Sequence, residues 1–122
     1  MSHSVLIVED EKELQDVYKL ILTLSGHSVL TANDGVEGLQ SIETHRPDVV
    51  LLDIFMPRLS GKEVLKQLDK TRHPKMKIVV YSNLSDSETE QEVLNNGADK
   101  FILKSSMTPQ ELVQMVDEVM TR

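Results

Sequence analysis

The chain alternates short apolar runs with longer segments in which apolar residues recur every three or four positions. The runs are Val5–Val8, Val29–Ala32, Val49–Leu52, Ile78–Tyr81 and Phe101–Leu103. Three of them are nearly continuous Val, Ile and Leu, the pattern of strands covered on both faces by helices. Between the runs lie helix signals. Ser60–Glu63, Ser85–Glu88 and Thr108–Glu111 each fit a capping box, and Pro109 falls at a first helical position, where its missing N–H costs nothing. Gly26 and Gly97 stand where helix stops are expected. Leu14, Val17, Tyr18, Ile21 and Leu24 form one helical stripe, and Leu112, Val113, Val116, Val119 and Met120 another, both read as core packing. Strand–helix alternation predicts right-handed crossovers and a doubly wound α/β fold with five parallel strands and five helices.

At 122 residues the chain is long enough for one domain with a single sizeable core, so residues 1–122 are expected to form one unit. The longest apolar stretch, Val49–Met56, is too short for a bilayer and is interrupted by Asp53. The N-terminus carries no basic region followed by an apolar signal core, so a cytoplasmic protein without membrane contact is expected. The lack of cysteine excludes disulfides, thiol catalysis and thiolate metal sites. A formal net charge of −7 argues against direct nucleic-acid binding, because phosphate neutralisation dominates that affinity. Such acidity often serves only solubility. A cation site is the alternative, and the positions of the acids decide between them.

Ligands of open α/β sheets bind at the carboxyl ends of the strands. The first run is followed by Glu9, Asp10 and Glu11, the third by Asp53, the fourth by Ser82 and Asn83, and the fifth by Lys104. The second, ending near Asn33 and Asp34, offers mainly a helix cap. Acids from two strand ends, a hydroxyl and an amine thus share one rim. Carboxylates without His or Cys suit a hard cation such as Mg2+. A carboxylate can also accept a phosphoryl group as an aspartyl phosphate, and a metal, an ammonium and a hydroxyl together can neutralise the transferred group's oxygens.

These residues resemble the receiver domain of two-component response regulators. The segment Val5–Glu11 is similar to that family's acidic start, and Asp53-Ile-Phe-Met-Pro-Arg-Leu-Ser-Gly61 matches its D-x-x-M-P-x-x-x-G signature in full. Asp10, Asp53, Ser82 and Lys104 are separated by 43, 29 and 22 residues, close to the family pattern. The resemblance covers essentially the whole chain. It implies a flavodoxin-like sheet of order 2-1-3-4-5, an order that comes from a chemotaxis member of the family and not from the periodicity of this sequence. It further implies Asp53 as phosphoacceptor, with Lys104 pairing first with Asp53 and then with phosphoryl oxygens. Ser82 would donate its hydroxyl to the phosphoryl group, and Phe101 would follow it as the switch aromatic. The metal, Mg2+ or Mn2+ in its place, would be bound by Asp10, Asp53 and the Phe55 backbone carbonyl, with Glu9 acting through a water. The implied partners are a histidine kinase or histidine phosphotransfer protein as donor, and an unknown output protein or C-terminal domain reached through the face of the fourth helix, fifth strand and fifth helix.

The chain departs from the family at Ser105, which replaces the usual proline after Lys104. A cis bond without proline costs about 3–4 kcal/mol, so a trans Lys104–Ser105 bond is expected. Asn83 replaces a small residue, and apolar Phe55 and Leu84 lack a polar guide for an attacking water, which predicts slow self-dephosphorylation. His3, His27, His45 and His73 fall on the opposite rim and are expected at the surface, and Met56 is expected to pack. An aspartyl-phosphate phosphatase or hydrolase is the alternative, but Phe55 stands where haloacid-dehalogenase-like enzymes need a second acid. A flavin or nucleotide module lacks its glycine-rich loop here. A pseudo-receiver acting only by contact would not need the complete acid, Ser and Lys set.

Overall fold

A computed structural model of the chain describes residues 2–83, 87–104 and 107–121. The strands are β1 (Ser4–Val8), β2 (Ser28–Ala32), β3 (Val49–Asp53), β4 (Lys77–Ser82) and β5 (Lys100–Leu103). They alternate with α1 (Lys12–Leu24), α2 (Gly35–His45), α3 (Gly61–Gln67), α4 (Ser87–Asn95) and α5 (Pro109–Met120), and a short 3-10 turn at Lys70–Arg72 precedes β4. All pairings are parallel, in the order β2-β1-β3-β4-β5. The doubly wound, flavodoxin-like sheet expected from the sequence is therefore present.

Strand residues alternate between two cores because successive side chains point to opposite faces. Leu6, Val8, Val50, Leu52, Ile78 and Val80 pack with Ile42 of α2, Val64 of α3 and Val93 of α4. Val5, Ile7, Val49, Leu51, Val79 and Tyr81 pack with Tyr18 and Leu22 of α1 and with Leu112 and Val116 of α5. The three central strands are buried on both faces, which accounts for their unbroken apolar runs, whereas edge strands β2 and β5 are half-buried along most of their length.

Most of the punctuation holds where it is described. Ser60 and Glu63 form a reciprocal capping box and Asp34 caps α2, whereas at Thr108 only half of the expected box forms: Thr108 Oγ1 accepts from the Glu111 N–H, with Pro109 just inside the helix, and the reciprocal bond from the Thr108 N–H to the Glu111 side chain is not made. Gly26 and Gly97 take φ of 94° and 108°, the left-handed region that glycine enters without penalty. The Ser85–Glu88 box starts outside the described residues, as do Leu84 and the Lys104–Ser105 bond. Met56 is half-buried against the α2–α3–α4 core, as expected of a packing residue.

Two expectations fail. Val17 and Leu24 are 50% and 79% exposed, so the α1 stripe is not wholly core. The helix instead buries Gln15, Tyr18 and Leu22, spaced three and four apart, which turns Val17 and Leu24 away from the sheet. His27 and His73 are buried rather than at the surface. Each has polar partners that make burial tolerable: His27 Nδ1 accepts from the His3 N–H at 3.1 Å, and His73 Nε2 lies 3.3 Å from Glu43 Oε1.

Candidate functional site

The carboxyl ends of β1, β3, β4 and β5 bring the acidic rim together. Asp53 ends β3, and it is only 3% exposed. Gly61, eight residues on, lets the start of α3 close over it. A Cβ there would lie 2.4 Å from the Asp53 carbonyl oxygen, and the Gly61 N–H donates to the Ile54 carbonyl at 2.8 Å. The glycine of the D-x-x-M-P-x-x-x-G pattern is thus a close-approach residue that fixes the backbone behind Asp53.

Lys104 follows β5 and reaches into the rim. Its Nζ lies 3.0 Å from Asp53 Oδ2, 3.1 Å from Glu9 Oε1 and 3.8 Å from Glu11 Oε1. Glu9 is fully buried just past β1. Its Oε2 accepts from the Glu11 N–H at 3.0 Å and its Oε1 from the Tyr81 hydroxyl at 2.9 Å. The Phe55 N–H donates to Asp53 Oδ1 at 3.3 Å, while Phe55 itself is 58% exposed beside the site. Gln15 of α1 ties the floor of the site by donating to the carbonyls of Glu9 and Ala32.

Burial, followed by the negative charge of Glu9, pushes Asp53 up to about 7, even though Lys104 opposes the shift. Burial also acts to raise Glu9, but the Glu11 N–H and the Lys104 ammonium outweigh it and hold Glu9 below the usual carboxylate range. Lys104 is raised: burial works against its charge, and the bonds and attraction from Asp53 and Glu9 prevail. One ammonium is therefore too little countercharge for the acids around it.

Glu9, Asp10 and Asp53 each offer an oxygen within 4.8 Å of the others, with Glu9 and Asp53 buried and Asp10 exposed. With all three carboxylates ionised, one ammonium leaves a charge of −2. An all-oxygen donor set with that deficit and an open side at Asp10 fits a hard divalent cation that keeps some of its waters. Such a cation would also favour the ionised form of Asp53.

The structure brings Glu9, Asp10, Asp53 and Lys104 into one cluster. Ser82 is buried at the end of the neighbouring strand β4. Phe101 stands apart from the cluster, half-buried on β5 against the α2–α3–α4 core. Sequence reasoning missed Tyr81 and Gln15. A tyrosine inside an otherwise aliphatic strand was the available signal, since a buried tyrosine hydroxyl ordinarily has a polar partner.

The family model described as the response regulator receiver domain matches residues 5–117. The chain belongs to this family. This receiver domain is 34% identical over 124 residues to the alkaline phosphatase synthesis transcriptional regulatory protein PhoP of Bacillus subtilis, covering 100% of this chain and 50% of that protein. It is 36% identical over 115 residues to the response regulator MprA of Mycobacterium tuberculosis, covering 94% and 50%. The chain thus spans about half the length of these relatives. Among solved structures it is similar to the CheY-like receiver domain protein of Methanospirillum hungatei JF-1, with a TM-score of 0.91 and 30% identity over 99% of this chain and 95% of that one. The Francisella response regulator 1452 receiver domain gives a TM-score of 0.88 at 30% identity, covering 98% of each chain.

A receiver domain is a regulatory module of two-component signalling rather than a classical enzyme, and the family generally uses Mg2+. Response regulators act with histidine kinases and output domains. No helix among the described residues is long and apolar enough to cross a membrane.

Proposed function

We propose that Asp53 is the phosphoacceptor of this receiver domain, taking a phosphoryl group from the phosphohistidine of a histidine kinase or histidine phosphotransfer protein. The observation that carries this reading is the Asp53 carboxylate itself. It is buried at a strand end, 3.0 Å from the Lys104 ammonium, and lies within the one acid cluster of metal-binding type among the described residues. In the transfer, an Asp53 oxygen forms the new O–P bond as the N–P bond of the donor breaks and the electron pair leaves with the imidazole. Lys104 neutralises charge on the phosphoryl oxygens, and the Ser82 hydroxyl donates to one of them.

Asp10 and Asp53 would hold Mg2+ or Mn2+ directly, with the Phe55 carbonyl, while Glu9 would contribute through a water. The cation supplies charge neutralisation that a single ammonium does not. Movement of Ser82 toward the phosphoryl group would let Phe101 shift on β5 and change the face of α4, β5 and α5 seen by an output partner. Because Phe101 has no hydroxyl, its report would be by packing alone.

The domain is incubated with Mg2+ and acetyl phosphate, or with beryllofluoride, and modification is followed by mass spectrometry or by tyrosine emission. Modification is expected in the wild type and lost in Asp53→Asn. Undiminished labelling of that variant would overturn the assignment.

A further inference from the structure

One ammonium serves two buried carboxylates. Lys104 Nζ is 3.0 Å from Asp53 Oδ2 and 3.1 Å from Glu9 Oε1, so its position depends on how well each acid is satisfied by other donors. Asp53 also accepts a long bond from the Phe55 N–H at 3.3 Å. Glu9 accepts two further bonds, from the Glu11 N–H on Oε2 and from the Tyr81 hydroxyl on Oε1, the same oxygen that faces Lys104.

Tyr81 is well fixed for this task. It is fully buried in β4, opposite Asp53 in the strand register, and its carbonyl accepts from the Ile54 N–H at 3.2 Å. Its ring meets Tyr18 edge-on at 5.9 Å between centroids and lies 5.2 Å from Lys104 Nζ, close enough for attraction between cation and ring face. It therefore touches both sides of the competition, donating to Glu9 and lying under Lys104. In so buried a site a lost donor strengthens the pull of the carboxylate on whatever donor remains.

We propose that Tyr81 is a positioning residue for the phosphoacceptor: by satisfying Glu9 Oε1, it leaves Lys104 free to serve Asp53. The inference rests on Asp53 being the phosphoacceptor and adds a residue that acts on it only through Glu9 and Lys104. Without the hydroxyl, Glu9 Oε1 keeps Lys104 as its remaining side-chain donor among the described residues, and the ammonium is drawn off Asp53. Tyr81 precedes Ser82 in β4, so the same strand end that carries the donor hydroxyl also sets the lysine.

The test is a double-mutant cycle on the rate of Asp53 modification by acetyl phosphate at saturating Mg2+, with Mg2+ affinity measured by calorimetry. Tyr81→Phe should slow modification about three- to tenfold, the loss of one buried hydrogen bond's worth of positioning, while Mg2+ affinity changes less than about twofold. In a Glu9→Gln background, where no second carboxylate competes for the ammonium, the same change should have almost no effect. Tyr18→Phe, which keeps the ring edge against Tyr81, is the control and should match wild type. An unchanged rate in Tyr81→Phe, or equal slowing in the Glu9→Gln background, would overturn the proposal.

A wild type that is not labelled, or an Asp53→Asn variant that is, strikes the phosphoacceptor reading and removes this one with it. Asp53-dependent labelling with Tyr81→Phe unaffected removes only the role of Tyr81. Should Tyr81→Phe not fold, the Tyr18→Phe protein decides, because Tyr81 is then the only aromatic emitter besides phenylalanine. A hydroxyl bonded to a carboxylate emits weakly, so adding Glu9→Gln should brighten Tyr81, and unchanged emission would refute the link.

Discussion

Replacing Asp53 by Asn should stabilise the metal-free domain by an amount that grows from about pH 4 to about pH 7 and then levels off. Burial and the charge of Glu9 push Asp53 from 3.8 up to about 7 in the folded protein. The folded state therefore keeps a proton that the unfolded chain has already released. The stability tied to that proton is fully present below about pH 4 and is lost as pH rises through about 7. Roughly three units at 1.36 kcal/mol each set an upper bound of about 4 kcal/mol. That bound already includes the attraction of Lys104, but the Asn amide N–H2 group cannot accept a hydrogen bond from the Lys104 ammonium as a carboxyl oxygen does, so a net of about 2 kcal/mol at pH 8 is expected. For a domain of this size that is roughly 5–10 °C in Tm. The assay is thermal or urea unfolding in EDTA between pH 5 and 8, where Glu9, held below the usual carboxylate range, adds little slope of its own. Saturating Mg2+ should narrow the gap by stabilising only the wild type. A variant less stable than wild type at pH 8, or a difference that does not vary with pH, would refute the reasoning.

Other consequences are simpler to measure. Gly61→Ala places a methyl 2.4 Å from the Asp53 carbonyl oxygen and 2.9 Å from the Ile54 Cα, so backbone must move. A loss of about 1–3 kcal/mol in urea unfolding is expected, together with slower Asp53 modification. In α1, Leu22→Ala should cost about 2–5 kcal/mol because Leu22 is fully buried, whereas Leu24→Lys, at a site 79% exposed, should stay within about 0.5 kcal/mol. Phe55 stands exposed beside Asp53 with no polar group to guide water. The phosphoryl half-life of the wild type should therefore exceed that of a Phe55→Asn, Leu84→Glu variant, and equal decay of the two would count against slow hydrolysis.

The fold was legible because its signals are local. Continuous runs such as Val49–Leu52 mark strands covered on both faces, and Ser60, Thr108, Gly26 and Gly97 mark helix ends by chemistry within a few residues. Asp53 and Lys104 were legible for a different reason: both sit at strand ends, and parallel topology sends all those ends to one rim. What escaped depends on the rotation of an element about its own axis. The apolar residues of α1 fit a helical period, but the period alone does not say which arc faces the sheet. Gln15 took a buried position by bonding the carbonyls of Glu9 and Ala32, and Val17 and Leu24 were turned outward. Tyr81 escaped because its ring satisfies the apolar pattern of β4 as well as an isoleucine would. Only the alternation of β4 in three dimensions aims its hydroxyl at Glu9, 72 residues away in the chain. The two misread histidines lie in connections between elements, and their partners are also distant in the chain, the His3 N–H for His27 and Glu43 of α2 for His73. Polar groups at the carboxyl ends of the strands are thus readable, because parallel topology gathers those ends. Polar groups inside an element, or in a connection leading into a strand, are hidden, because their partners are chosen by packing rather than by neighbouring sequence.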